Sequence, residues 1–233
     1  MSDDLDARIA GLAALGEPIR RALYRFVAAQ SEPVNRDQAA EGVGIPRHTA
    51  KFHLDKLVDD GLLAVEFSRP AGRGGPGAGR PAKLYRRSGR ELSVSLPERD
   101  YQLAGGLLAR AITDAERDGV PVGDALHKVA RETGRSLGAE ARERAGTRAS
   151  RSTLLEAISE ILGKRGYEPH VDKTGITLGN CPFHALSQEY TDLVCGMNLD
   201  LMEGLVEGLG HSNLEGLLDP APGRCCVRLQ KMA

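Results

Sequence analysis

The chain has no run of about twenty uncharged apolar residues, the length a membrane-spanning helix requires. Its first residues, Met1-Ser2-Asp3-Asp4-Leu5-Asp6, are acidic where a secretory leader is basic and then continuously apolar. Cysteine is scarce, with four in 233 residues. That is too few for a disulfide scaffold, and in a reducing compartment free or metal-bound thiols are the expectation. These absences predict a cytoplasmic protein with no membrane partner. Enzyme signatures are missing too: there is no phosphate loop ending in lysine, no nucleophile elbow and no recognisable carboxylate pair. The glycine-rich run from Gly72 to Gly79 carries arginine and leads into no helix, so it does not read as a nucleotide loop. The expectation is a non-enzymatic protein.

What is present begins with charge. The net charge of -1 hides an uneven distribution, with +2 over residues 1–100 and -3 over the rest. Between Arg69 and Arg90 stand Arg69, Arg73, Arg80, Lys83, Arg86, Arg87 and Arg90 with no acidic residue among them. That is a local polyanion site.

Ile9, Leu12, Leu15, Ile19, Leu23 and Val27 recur at helical spacing, with a restart at Pro18. Asn35 to Glu41 reads as a short helix stopped by Gly42 or Gly44. After Ile45-Pro46 a third segment, Arg47 to Asp60, buries Ala50, Leu54, Leu57 and Val58 and presents Arg47, His48, Thr49, Lys51 and Asp55. Those side chains suit base edges and phosphates. Two short helices about a glycine-containing turn make a helix-turn-helix. Leu62 to Phe67 and Lys83 to Arg86 then read as two strands of a hairpin, with the basic Arg69 to Pro81 segment as its tip. DNA contacts are therefore expected from Arg47, His48, Thr49, Lys51, Arg69, Arg73, Arg80 and Lys83, with His53 left as a packing or polar residue.

Helix-turn-helix plus hairpin is the winged-helix plan. Arg47-His48-Thr49-Ala50-Lys51-Phe52-His53-Leu54-Asp55-Lys56-Leu57 and Gly79-Arg80-Pro81-Ala82-Lys83-Leu84-Tyr85 resemble the ArsR-like regulators. That resemblance implies a third helix in the major groove and a wing along the backbone or minor groove.

Leu96 to Arg99 marks a boundary. Two amphipathic helices follow, from Tyr101 to about Ile112 and from Asp124 to about Arg144, and they are candidates for a dimer seam. Thr153 opens a capping-box spacing before Leu155, Ile158, Ile161 and Leu162. Two short strands, 168–171 and 175–178, precede an irregular stretch over 180–190. A helix capped by Thr191 runs to Leu209, and a last strand spans Arg224 to Leu229. The expected architecture is mainly α with small β: a winged helix-turn-helix domain over 1–96, a helical linker and dimerisation region over 97–150, and a small α/β sensor domain over 151–233.

All four cysteines fall in that last domain. Cys181 follows a strand, and Cys195 lies near a helix start, where the dipole favours a thiolate. Cys225 and Cys226 open the last strand, whose alternation sends only one of them toward a common site. Thirteen residues separate Cys181 from Cys195 and 29 separate Cys195 from Cys225, so no Cys-x-x-Cys pattern assigns a metal. Zinc shared with His184, or ordinary buried cysteines, remain open on this spacing.

The stretch Asn180-Cys181-Pro182-Phe183-His184, Leu193-Val194-Cys195-Gly196-Met197 and Gly223-Arg224-Cys225-Cys226 resembles the sensor half of SufR-type iron-sulfur repressors of cluster-assembly operons. It implies an iron-sulfur cluster, [4Fe-4S] rather than [2Fe-2S], on Cys181, Cys195 and one of Cys225 or Cys226. The fourth ligand is left among the other adjacent cysteine, His184, a carboxylate or a small thiol. The expected function is a homodimeric repressor that binds a palindromic double-stranded operator under control of the cluster. The competing expectations are a winged-helix regulator sensing a small apolar ligand or zinc, and a DNA-binding scaffold that recruits a partner protein.

Overall fold

The computed structural model describes residues 3–68, 81–146, 149–210 and 212–232. The chain forms two compact units, Met1–Val94 and Ser95–Ala233. It is mainly helical with two small antiparallel sheets, the fold class its sequence predicts.

The first unit begins with α1 (Asp3–Ala14) and α2 (Pro18–Ala28), and the proline opens α2 because its missing N–H would have no partner in a first turn. Glu17 caps α2 by accepting from the backbone N–H groups of Ile19 and Arg20. Strand β1 (Val34–Asn35) leads into α3 (Arg36–Val43) through a capping box in which Asn35 and Gln38 satisfy one another's backbone donors. Gly44, at φ 72°, ends α3 in the left-handed conformation that glycine adopts without strain. Recognition-type helix α4 (Arg47–Asp59) follows, burying Ala50, Leu54 and Leu57 against Leu23, Val27 and Ala39. Strands β2 (Leu63–Ser68) and β3 (Ala82–Arg87) complete a sheet of order β1-β3-β2, with Tyr85 opposite both Val34 and Val65.

The second unit contains α5 (Tyr101–Asp118), α6 (Val122–Ala145), α7 (Arg151–Lys164), α8 (His184–Glu189) and α9 (Thr191–Leu209). Its sheet orders β4 (Pro169–Val171), β5 (Gly175–Leu178), β7 (Val227–Lys231) and β6 (Leu214–Leu218), antiparallel throughout. Residues 97–150, read from sequence as a separate linker region, share one core with the sheet: Ala104, Leu107 and Val129 join Ile158, Leu178 and Leu229.

Four details differ from the sequence reading. Ser150, not Thr153, caps α7, its hydroxyl accepting from Thr153 N–H. The stretch read as irregular contains α8. Strand β6 carried no alternating apolar pattern and was missed. The last strand starts at Val227, because Pro220, Pro222 and Gly223 hold the chain in turns until then and leave Cys225 and Cys226 outside the ladder.

Helices α6 and α9 make the closest contact of this unit. A Cβ placed on Gly134 would lie 2.0 Å from the Leu201 carbonyl oxygen, and one on Gly138 2.0 Å from that of Leu205. Reciprocally, Gly204 and Gly208 would bring one to 2.1 and 2.2 Å of the carbonyls of Arg131 and Arg135. The backbones touch only because four glycines face each other. Outside this seam, Arg135 pairs with Glu207 at 2.6 Å, Arg131 pairs with Glu203, and His127 pairs with Asp200.

Gly134→Ala is expected to cost about 1–3 kcal/mol, because a methyl group there forces two packed helices apart. Gly105→Ala, on α5 with no atom within 4 Å of the new methyl, should instead be neutral or stabilise by about 0.5–1 kcal/mol through helix propensity. Urea unfolding followed by circular dichroism measures both, and equal midpoints for the two variants would refute the close approach.

Candidate DNA interface and cysteine site

The first site is built on α4 and the sheet beside it. Arg47, His48 and Lys51 are exposed and Thr49 is half-buried, while Ala50, Leu54 and Leu57 face inward, so the predicted reading face is solvent-accessible. A pocket of about 620 Å³ opens here, with Arg36, Arg47, Lys51 and Lys83 among its lining residues. Arg69, Arg73 and Arg80 lie outside the described residues.

Two carboxylates temper the positive charge. Arg47 Nε stands 2.5 Å from Asp37 Oδ1. Asp55 takes three donors: Lys51 Nζ at 3.1 Å, Lys83 Nζ at 2.5 Å and the Tyr85 hydroxyl at 3.1 Å. The Lys83 ammonium also stands 5.1 Å from the Tyr85 ring centroid. Asp55 is thus the tie between α4 and β3, and Lys83 is engaged in that tie. Sequence reasoning placed Asp55 and Lys83 on the DNA face but missed that they bind each other; the strand register that brings them together is a tertiary fact. His53 stands 3.6 Å from Glu17, as a polar packing residue.

The second site lies in the other unit. Cys181, Cys195, Cys225 and Cys226 all line one pocket of about 320 Å³, with His184, Ser187, Gln188 and Thr191 at its wall. Each cysteine-bearing segment is fixed by backbone bonds. Buried Asn180 donates to the carbonyls of Glu98, at 2.8 Å, and Gly166, at 2.5 Å, and accepts from Arg99, which also reaches the Cys181 carbonyl at 3.1 Å. Cys225 N–H donates to the Leu178 carbonyl at 2.8 Å, and Asp219 N–H to that of Cys226 at 2.7 Å. Cys195 rides on α9, one turn from buried Asn198.

The four thiols share this pocket and influence one another's acidity. The neighbouring Cys225, together with burial, pushes the Cys181 thiol far above the ordinary range. Cys181 pulls Cys225 down, but Cys226 and burial outweigh this and set it at about 11. Burial also raises Cys195, against the expectation that the helix dipole would favour its thiolate, and more than Cys226 lowers it. The expectation that only one of the adjacent pair reaches the site rested on strand alternation. Since both precede β7, alternation does not govern them, and both line the pocket.

Asn198 donates from Nδ2 to Cys225 Sγ at 3.3 Å and accepts from the buried Tyr167 hydroxyl at 2.6 Å. Asn198 was missed from sequence, although its position three residues after Cys195 on a helix was a signal. Among the described residues, no group of three or more His, Cys, Asp or Glu converges to hold a metal ion, and no helix is long and apolar enough to cross a membrane.

A family model described as a helix-turn-helix domain matches residues 15–66, spanning α2 to β2. No curated protein and no solved structure matches the chain. The matched helix-turn-helix domain supports a DNA-binding transcriptional regulator.

Burial pushes the Asp55 carboxyl up, and hydrogen bonds from Lys83, Lys51 and Tyr85 more than offset it, leaving its pKa below the ordinary 3.8. A depressed carboxylate contributes stability that is fully present above its unfolded pKa and lost as pH falls through the folded one. Asp55→Asn should therefore weaken amide protection in α4 and β3 at neutral pH and match wild type at the acid extreme. Hydrogen exchange across that range checks it, and a pH-independent difference would contradict the assignment.

Proposed function

We propose that the chain is a homodimeric winged-helix repressor acting in the cytoplasm, whose affinity for a palindromic operator is set by an iron-sulfur cluster held by Cys181, Cys195, Cys225 and Cys226. The observation that supports this reading is the set of four cysteines, from three separated segments, lining one pocket. The donor set, four cysteine thiols lining one pocket, is of the chemical kind that holds an iron-sulfur cluster. His184 is exposed at the pocket wall and is not required when both adjacent cysteines contribute.

When bound, the cluster supplies an oxidant-labile cross-link. The protein's own residues do the rest: Asn180 and Arg99 fix the Cys181 loop, the Leu178 carbonyl fixes Cys225, and Asn198 orients the Cys225 sulfur. Joining α9, the Cys181 loop and the segment before β7 favours one conformation of the sensor unit, and loss of the join shifts the population and with it operator affinity.

Anaerobic reconstitution followed by iron, sulfide and visible-absorption analysis tests this reading. Wild type should take up iron and colour, and Cys181→Ser, Cys195→Ser, Cys225→Ser and Cys226→Ser should each lose most of both while remaining folded. His184→Ala should retain them. A colourless wild type, or four serine variants with wild-type iron, would reject the cluster and favour a metal-free ligand sensor.

The DNA half is tested separately by gel shift. Arg47→Ala and Lys51→Ala should weaken specific binding, and joint loss of Arg73 and Arg80 should flatten the salt dependence by up to about one log-log unit per phosphate contact removed. An unchanged slope would remove the wing from the interface.

A further inference from the structure

Phe52 has no place in the core of its unit. It is 68% exposed, and its recorded ring contact is an edge-on one with its neighbour His53, centroids 5.1 Å apart. On α4 it lies away from the stripe of Ala50, Leu54 and Leu57, one helical turn beyond His48 and beside Lys51 and Lys56, whose ammonium groups pair with Asp55 and Asp60. Isolated exposed apolar residues are common and carry little meaning. A phenyl ring in the first half of the helix read as meeting DNA is different, because it faces a groove that offers one apolar group.

That group is the C5 methyl of thymine; the other base edges there present hydrogen-bond donors and acceptors. Resting on the DNA-binding reading, we infer that Phe52 is a specificity-determining residue that packs its ring on a thymine methyl in each half-site. Phe52 presents a wholly apolar side chain and cannot read any base by hydrogen bonding.

The test uses the full-length protein and the duplex that wild type enriches from a randomised pool. Each thymine is replaced in turn by deoxyuridine, which lacks only the methyl. Wild type should lose about four-fold in affinity at one position per half-site, the worth of burying one methyl group. Phe52→Ala should bind the parent duplex more weakly and be indifferent to that replacement, while Phe52→Leu should keep part of the preference. If no thymine is sensitive, or if Phe52→Ala responds as wild type does, the inference is overturned and DNA binding stands. If wild type enriches no sequence, the DNA reading falls with it.

Discussion

Everything in the larger unit depends on two helices whose backbones touch. The contact between α6 and α9 leaves no room for a side chain at Gly134, Gly138, Gly204 or Gly208, and it is closed on its outer edges by a His127–Asp200 hydrogen bond and by ion pairs from Arg131 and Arg135 to Glu203 and Glu207. Glycine inside a helix costs roughly 0.5–1 kcal/mol each against alanine. Four such positions are tolerable only where close approach returns dispersion contacts along the whole seam. The consequence is positional. Helix α9 is held rigidly, so Cys195 and Asn198, on its N-terminal half, are fixed relative to α6 and the core. The other cysteines approach this fixed post on chain segments tied down by hydrogen bonds rather than by helix packing.

The smaller unit rests on an electrostatic tie. Asp55 draws Lys51, Lys83 and Tyr85 to one carboxylate, joining the recognition helix to the strand that leads out of the wing. A carboxylate in a DNA-binding face is unfavourable to a polyanion unless it is neutralised, and here it is outnumbered by its donors. The arrangement fixes the angle between helix and hairpin while leaving Arg47 and His48 accessible.

Much of this was legible in the sequence, for identifiable reasons. Helices with strong 3.6-residue periodicity and local stops, such as those ending at Gly44 and Gly61 or starting at Pro18, announce themselves. So did the two strands that flank the basic segment, which pair as β2 and β3. Strand β6 was not legible, because Leu-Glu-Gly-Leu-Leu has neither clean alternation nor β-branched residues. The start of the last strand was misplaced for a related reason: cysteine carries no turn signal, and Arg224, Cys225 and Cys226 are set by the preceding proline turns. That small shift of boundary moved Cys226 from the far face of a strand to the wall of the pocket. The Asp55 tie and the Asn198 bond to Cys225 depend on register and helix crossing, which no local pattern encodes.

The placement of the thiols bears on how such a site responds. A ligand or cluster bound wholly within a helix pair would be sealed by packing and would exchange slowly. Here Cys181 and Cys226 remain partly exposed, whereas Cys225 is buried and hydrogen-bonded to Asn198. Solvent therefore reaches the pocket from the Cys181 and Cys226 side, while the inner sulfur is held by the Tyr167–Asn198–Cys225 chain. The protein groups that hold the three segments at the pocket are backbone bonds, the buried amides of Asn180 and Asn198, and the Arg99 guanidinium. What a proposed cluster adds is the last link between segments already close. On the proposed reading, neither the bridged nor the open form has to build or dismantle the core, which keeps the two close in free energy, as a reversible switch requires.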